Sequence, residues 1–203
     1  MVANKCLLQG HVPRHIRDDV FLGNKMYRLF IAIDLPPETK KELAAICFGL
    51  PGARWVPEDQ LHLTLRFIGE VDGGLCKDIQ EMLATVTMTP FTIRLQGIGH
   101  FPPRKRPRVL WVGIEANDLL LRLRGRIESI LVRGGLEPEG RKYSPHITIA
   151  RLQDTPSVKA GNFIAANGLF ATTPFMVQDF LLYSSKLTPK GAIHTIEASY
   201  PLV

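Results

Sequence analysis

With 203 residues, 45% of them hydrophobic and 22% charged, the chain sits in the ordinary globular range, long enough for one large domain or two small lobes. No apolar run approaches the roughly 20 residues of a membrane helix, and Cys6, Cys47 and Cys76, without a Cys-x-x-Cys pair, suggest neither a disulfide framework nor a zinc knuckle. A net charge of +6 favours polyanionic partners such as RNA, through field steering rather than sequence reading. A reduced, cytoplasmic, monomeric protein with no membrane attachment is therefore expected.

Residues 1–25 mix His, Arg, Asp, Gly and Pro without a sustained period, and a clean pattern starts only at Met26, which would serve as an alternative start. They read as a disordered or loosely attached extension, leaving 26–203 as the folded unit. Leu29-Phe30-Ile31-Ala32-Ile33 predicts a buried strand. Pro36-Pro37 closes it and opens a helix, since proline is tolerated in a first turn, and Leu43, Ile46, Cys47 and Leu50 recur at helical spacing. A second strand carries His62 and Thr64 and ends at Gly69. Leu75, Ile79, Met82, Leu83 and Val86 then mark an amphipathic helix.

Two alternating stretches, 91–99 and 108–115, flank a loop containing Arg104-Lys105-Arg106-Pro107-Arg108 and predict an antiparallel pair. That loop is either a solvated turn or a phosphate-contacting segment. A further helix begins near Asn117 or Asp118, carries Leu119, Leu123, Ile127, Ile130 and Leu131, and stops at Gly134-Gly135. A second His-x-Thr strand comes next, then a segment started by Pro156, then strands at about 175–185 and 192–200. Strand, helix, strand, helix, with hairpins interspersed, occurs roughly twice. The expected architecture is α+β and bilobal, with a sheet and helices in each lobe and one His-x-Thr strand from each facing a shared cleft.

The two copies read His62-Leu63-Thr64-Leu65 and His146-Ile147-Thr148-Ile149. Residues i and i+2 of a strand share a face, so each copy turns His and Thr one way and two apolar side chains into the core. A single histidine on an apolar strand is commonly structural, and threonine is simply a good strand former. A strand that needs only burial has no reason to repeat His-x-Thr. Opening a phosphodiester in line needs a base for the incoming water and an acid for the departing oxygen. Histidine suits both, with an unperturbed pKa of about 6.5. Threonines two residues along supply hydrogen bonds to the non-bridging oxygens.

The competing chemistries lack their residues. There is no His-x-His, His-Glu-x-x-His or carboxylate cluster for a metal, no phosphate-binding Gly-rich loop, no Lys-x-Asp-Gly motif and no serine elbow. No metal and no cofactor are expected. His11, His15, His100 and His194 stand outside the repeated context, and His194 reads as structural. By strand parity Arg66 shares the His62 face, where solvent exposure explains it equally well. Phe30 and Tyr183 could stack on a base, but core packing is the expected role.

The twin motifs resemble those of the 2H phosphoesterase superfamily, and more closely the RNA 2′,3′-cyclic phosphodiesterases formerly called 2′-5′ RNA ligases. The resemblance extends over Arg28-Leu-Phe-Ile-Ala-Ile-Asp-Leu-Pro36, Arg54-Trp-Val-Pro57, Leu61-His-Leu-Thr-Leu-Arg-Phe-Ile-Gly69, Pro107-Arg-Val-Leu-Trp111, Pro145-His-Ile-Thr-Ile-Ala-Arg151 and Leu182-Tyr-Ser-Ser-Lys-Leu-Thr-Pro189, from about residue 27 to the end. It implies metal-independent opening of an RNA terminal 2′,3′-cyclic phosphate, or of a cyclic nucleotide, to a 2′-phosphomonoester. It further implies His62 as proton donor to the leaving 3′ oxygen, His146 as proton acceptor from water, Thr64 and Thr148 as phosphate holders, and Arg151 as a substrate-binding residue. Strict parity would put Arg151 opposite His146, so that last role requires the strand to end or twist near Ala150. The alternatives are reversible 2′-5′ ligation at the same site, and an RNA-end or nucleotide-binding module without turnover.

Overall fold

Two four-stranded antiparallel sheets share one apolar core, with four helices packed behind them, in a computed structural model that describes residues 25–189 and 191–203. The expectation of a disordered extension at 1–25 falls, apart from Lys25, outside the described residues. In chain order the elements are β1 (Tyr27–Asp34), α1 (Pro37–Ala44), β2 (Ala53–Trp55), β3 (His62–Val71), α2 (Gly73–Leu83), β4 (Phe91–Ile93), β5 (Leu95–Phe101), β6 (Val109–Ile114), α3 (Asp118–Arg133), β7 (His146–Leu152), α4 (Ser157–Ala166), β8 (Phe175–Val177), β9 (Asp179–Thr188) and β10 (Gly191–Pro201). The first sheet runs β10-β9-β1-β3 and the second β2-β7-β6-β5, while β4 and β8 form a small separate ribbon. The α+β architecture with two sheet-bearing lobes is as expected.

The lobes are not the two halves of the sequence. β2, from the first half, pairs with β7 of the second, and β9 and β10 close the sheet begun by β1 and β3. One consequence is an asymmetry between the twin motifs: β3 is an edge strand, whereas β7 lies between β2 and β6. β3 and β7 also contact each other where the sheets meet, and the Tyr143 hydroxyl donates to the Thr64 carbonyl across that seam at 3.2 Å.

Local chemistry explains the element boundaries. Asp72 and Asn117 cap α2 and α3, accepting from the Leu75 and Leu120 amides. That register makes Leu120, Leu123, Ile127 and Leu131 the buried stripe of α3, and turns Leu119, expected in the stripe, outward at 38% exposure. α1 ends at Ala44, short of the predicted Leu50. Leu50 is buried from the turn beyond it. The stretch 91–99 divides into β4 and β5 because β4 pairs with β8 and β5 with β6. The three-residue β2 is too short to carry a period, so no sequence pattern announces it.

Leu63, Leu65, Ile147 and Ile149 all lie in the one core, together with Leu43 of α1, Ile79 of α2 and Leu123 of α3. The helices thus back both sheets, and the His-Thr faces of β3 and β7 turn away from that core. Burying a leucine- or isoleucine-sized side chain stabilises by about 1.5–3 kcal/mol. The apolar half of each motif thereby holds its polar half in place.

Candidate active site

Each motif histidine makes the same local contact. His62 Nδ1 lies 2.8 Å from the Gln60 carbonyl, and His146 Nδ1 lies 2.7 Å from the Ser144 carbonyl. A carbonyl oxygen only accepts, so in both rings Nδ1 carries the hydrogen and donates it. Nε2 is then a lone pair on the neutral ring and an N–H on the cation. Two imidazoles are held in the tautomer that lets Nε2 take or give a proton, each by a contact to the residue two positions earlier.

The surroundings of the two rings differ. His62 packs 4.9 Å from Phe30, 6.1 Å from Tyr183 and 5.5 Å, edge to face, from His194 (ring centroids). Phe30 and Tyr183 stack at 5.1 Å, and with Ala32 and Leu181 they form a buried cluster separate from the main core, on the His62 face. The packing role expected for Phe30 and Tyr183 holds, in a second buried cluster that also forms a wall for His62. His194, read from sequence as structural, stands in the same group. Its partner set is visible only once β10 is laid on β9 and β9 on β1.

Burial in this wall, reinforced by His194 and Lys40 and opposed by the Gln60 hydrogen bond and Asp34, holds the His62 pKa down at about 4. Asp34 is opposite His62 in the β1–β3 ladder and is paired with Lys40 at 2.8 Å. Between the unfolded value near 6.5 and about 4, the unfolded chain binds the extra proton. This contribution to stability is therefore present above pH 6.5 and lost as pH falls toward 4. His62 titrating near 4 by NMR, and moving upward when inorganic phosphate supplies a counter-charge, is the expected result. A free-protein value at or above 6.5 would contradict the burial argument.

His146 has Phe101 edge-on at 5.0 Å and Trp111 at 6.2 Å. Trp111 is opposite Thr148 in the β6–β7 ladder, and its indole lies over Gly99 of β5. A Cβ at residue 99 would collide with that ring. Gly99→Ala is therefore expected to displace Trp111 and disturb His146, read as an altered near-UV signal and a reduced kcat/KM.

Immediately after each His-x-Thr the strand carries a β-bulge. In the β1–β3 ladder Ala32 pairs with Thr64 but Ile31 with Arg66, so Leu65 is the extra residue. In the β6–β7 ladder Trp111 pairs with Thr148 but Leu110 with Ala150, so Ile149 is the extra residue. The extra residue reverses strand parity beyond it. Arg151 pairs with Val109, which pairs with Phe101, and Phe101 touches the His146 ring, so Arg151 is on the His146 face and exposed. The obstacle that parity raised against Arg151 is removed. The same reversal turns Phe67 to the His62 face, 6.1 Å from Phe30.

It also sends Arg66 inward, away from the face that parity predicts. Arg66 is 9% exposed, with Nε 2.9 Å from Glu128 Oε2 of α3 and Nη1 3.2 Å from Glu139. It also donates to the carbonyls of Phe67 and Glu137. Arg124 adds a second cation to Glu128 at 3.4 Å. Arg66 therefore ties β3 to α3 and to the segment leading into His146, and does not line the site.

Among the described residues no three His, Cys, Asp or Glu side chains gather as a metal site would need. Among these residues, no helix is long and apolar enough to cross a membrane.

A family model described as LigT like phosphoesterase matches the chain twice, over residues 33–111 and 112–194. Among curated relatives, an RNA 2′,3′-cyclic phosphodiesterase of Thermotoga maritima is 36% identical over 175 residues, covering 83% of this chain and 92% of the relative. One of Methanocaldococcus jannaschii is 34% identical over 172 residues, covering 83% and 97%. Among solved structures, a Thermus thermophilus protein superposes with a TM-score of 0.74 at 28% identity, covering 86% of this chain and 97% of that one. E. coli LigT complexed with 3′-AMP superposes at 0.72 and 27%, covering 88% and 99%.

Proposed function

The chain belongs to the LigT-like phosphoesterase family, and on that premise we propose that it opens RNA terminal 2′,3′-cyclic phosphates to 2′-phosphomonoesters. The carrying observation is the matched pair of imidazoles, both locked with Nδ1 as donor and Nε2 left for chemistry. The relatives bearing the name RNA 2′,3′-cyclic phosphodiesterase support the substrate class.

In this reading His146 Nε2 takes a proton from water as it attacks phosphorus in line with the 3′ oxygen. The P–O3′ bond breaks, and His62 Nε2–H delivers its proton to that oxygen. The product is a 2′-phosphate and a 3′-hydroxyl. Thr64 and Thr148 donate to the non-bridging oxygens as charge builds there, and Arg151 neutralises it. His62, neutral in the free protein at pH 7, acquires its proton when the phosphate anion enters, because a nearby negative charge favours the imidazolium. No metal or cofactor enters this scheme.

Residues 26–203 work as one bilobal unit in this proposal, supported by the exchange of β2 and β9 between halves. The protein is read as a monomer and as cytoplasmic, and the free thiols of Cys47 and Cys76 lend support to the second reading alone. The test is an oligonucleotide with a 2′,3′-cyclic phosphate end, assayed with a chelator present and with the product's phosphate position mapped. Turnover to a 2′-phosphate is expected; a 3′-phosphate product would reverse the identity of the leaving oxygen, and binding without turnover would favour the recognition-module reading.

A further inference from the structure

The twin lobes present chemically opposite faces beyond their histidines. On the first sheet the residue reached after the bulge is Phe67, 62% exposed and set against Phe30. On the second sheet the corresponding residue is Arg151, and directly opposite it in the β2–β7 ladder stands Arg54. Partners in an antiparallel ladder have Cβ atoms about 4.5–5.5 Å apart and point to one face, and like charges so placed destabilise the pair. Both arginines are exposed, and among the described residues neither comes within ion-pair distance of a carboxylate. Farther out on the first sheet, by contrast, Arg28 stands opposite Glu70.

A charged residue on a short edge strand guards against edge-to-edge aggregation. That accounts for Arg54 alone, not for its setting against a second arginine. The fold does not require the pair either, because Trp55 anchors β2 from the opposite face, 5.6 Å from Phe163 of α4. The basic turn 104–108 runs alongside, where the Arg108 carbonyl accepts from the Leu152 amide. In that turn Arg106 is spoken for by Asp154 and the Thr155 carbonyl.

We propose that Arg54 binds the backbone phosphate that precedes the terminal nucleotide, making it a specificity residue for polynucleotide ends over cyclic mononucleotides. This rests on the activity proposed above. Val109, level with the arginine pair, is two residues along β6 from Trp111, level with Thr148, or about 7 Å at 3.3–3.4 Å per residue. That is the order of one step along a nucleic-acid backbone. Guanidinium matches phosphate with a planar pair of donors, and the bound anion removes the Arg54–Arg151 repulsion. The terminal nucleoside is left to the aromatic lobe, where Phe67 is the exposed ring and Phe30 and Tyr183 lie buried beneath it.

The experiment compares kcat/KM for a trinucleotide ending in a 2′,3′-cyclic phosphate with that for adenosine 2′,3′-cyclic phosphate, in wild type, Arg54→Ala, Arg54→Lys and Arg54→Glu. The wild-type preference for the trinucleotide should fall by about tenfold or more in Arg54→Ala, through KM, from loss of a charged hydrogen-bonding contact. It should fall further in Arg54→Glu and recover in part in Arg54→Lys. The salt slope of trinucleotide binding should drop by about one in the alanine variant. An unchanged substrate ratio, or equal losses on both substrates, overturns the assignment. If the wild type turns over neither substrate, the activity reading fails by itself, and anisotropy of a labelled trinucleotide ending in a 2′-phosphate still tests Arg54 by the same ratio to a mononucleotide.

Discussion

Replacing His62 or His146 by alanine is expected to lower kcat on a 2′,3′-cyclic phosphate end by about 10²–10⁴-fold each, the usual worth of one positioned acid or base. The double variant should lose far less than the product of the two, because acid and base act in one transition state. Each ring also packs on aromatic neighbours, His62 on Phe30 and His146 on Phe101, so a denaturant titration of each variant separates lost chemistry from lost folding. The assignment of roles has its own test. A substrate whose bridging 3′ oxygen is replaced by sulfur has a leaving group that needs no proton. It should restore the rate of His62→Ala toward wild type and do nothing for His146→Ala. Rescue of the opposite variant would exchange the two roles, and undiminished hydrolysis in both single variants would remove the histidines from the chemistry.

Arg66→Met should be the most destabilising substitution near the site, by about 3–5 kcal/mol, because it strands charges in a half-dry environment rather than merely removing a contact. Glu139 loses its nearer cation at 3.2 Å and keeps only the exposed Arg141 at 3.9 Å, and the Glu137 and Phe67 carbonyls lose their donor. Glu128 keeps Arg124 at 3.4 Å, which argues for the lower end of the range. For a chain of this size the lower end, about 3 kcal/mol, corresponds to a fall in Tm of about 6–12 °C. Denaturant titration reads it as a lower midpoint with an unchanged slope. At temperatures where the variant remains folded, activity should also fall, since residues 137–139 lead into Tyr143 and His146. A loss below about 1 kcal/mol would mean that β3 is held to α3 by apolar packing alone.

Two properties of the chain are legible in the sequence. One is periodicity: alternation at 62–65 and 146–149 identifies strands with a polar and an apolar face, and helical stripes identify α2 and α3. The other is composition at a position, since a repeated His-x-Thr narrows the chemistry to paired acid–base work. Both are local, arising from backbone geometry within a few residues. Local reasoning fails at Arg66, where one extra residue at Leu65 reverses the parity that counting assumes. It fails at His194, whose place beside His62 depends on the registers of β10 on β9 and of β9 on β1. It gives the burial of Phe30 and Tyr183 but not the cluster they join, because a buried aromatic on a sheet reads the same whichever face it occupies.

The amino-acid order alone therefore settles the pair of strands, the side of each that carries His and Thr, and the family to which they belong. Three further features exist only in the folded chain. β2 crosses to the other lobe, bulges at Leu65 and Ile149 turn Phe67 and Arg151 to the histidine faces, and one lobe becomes aromatic while the other becomes cationic. The division is one of range. A strand's two faces are set by the chain's own pleat, whereas bulges and strand partners are chosen by hydrogen bonding and packing between segments far apart in sequence, which no local period records.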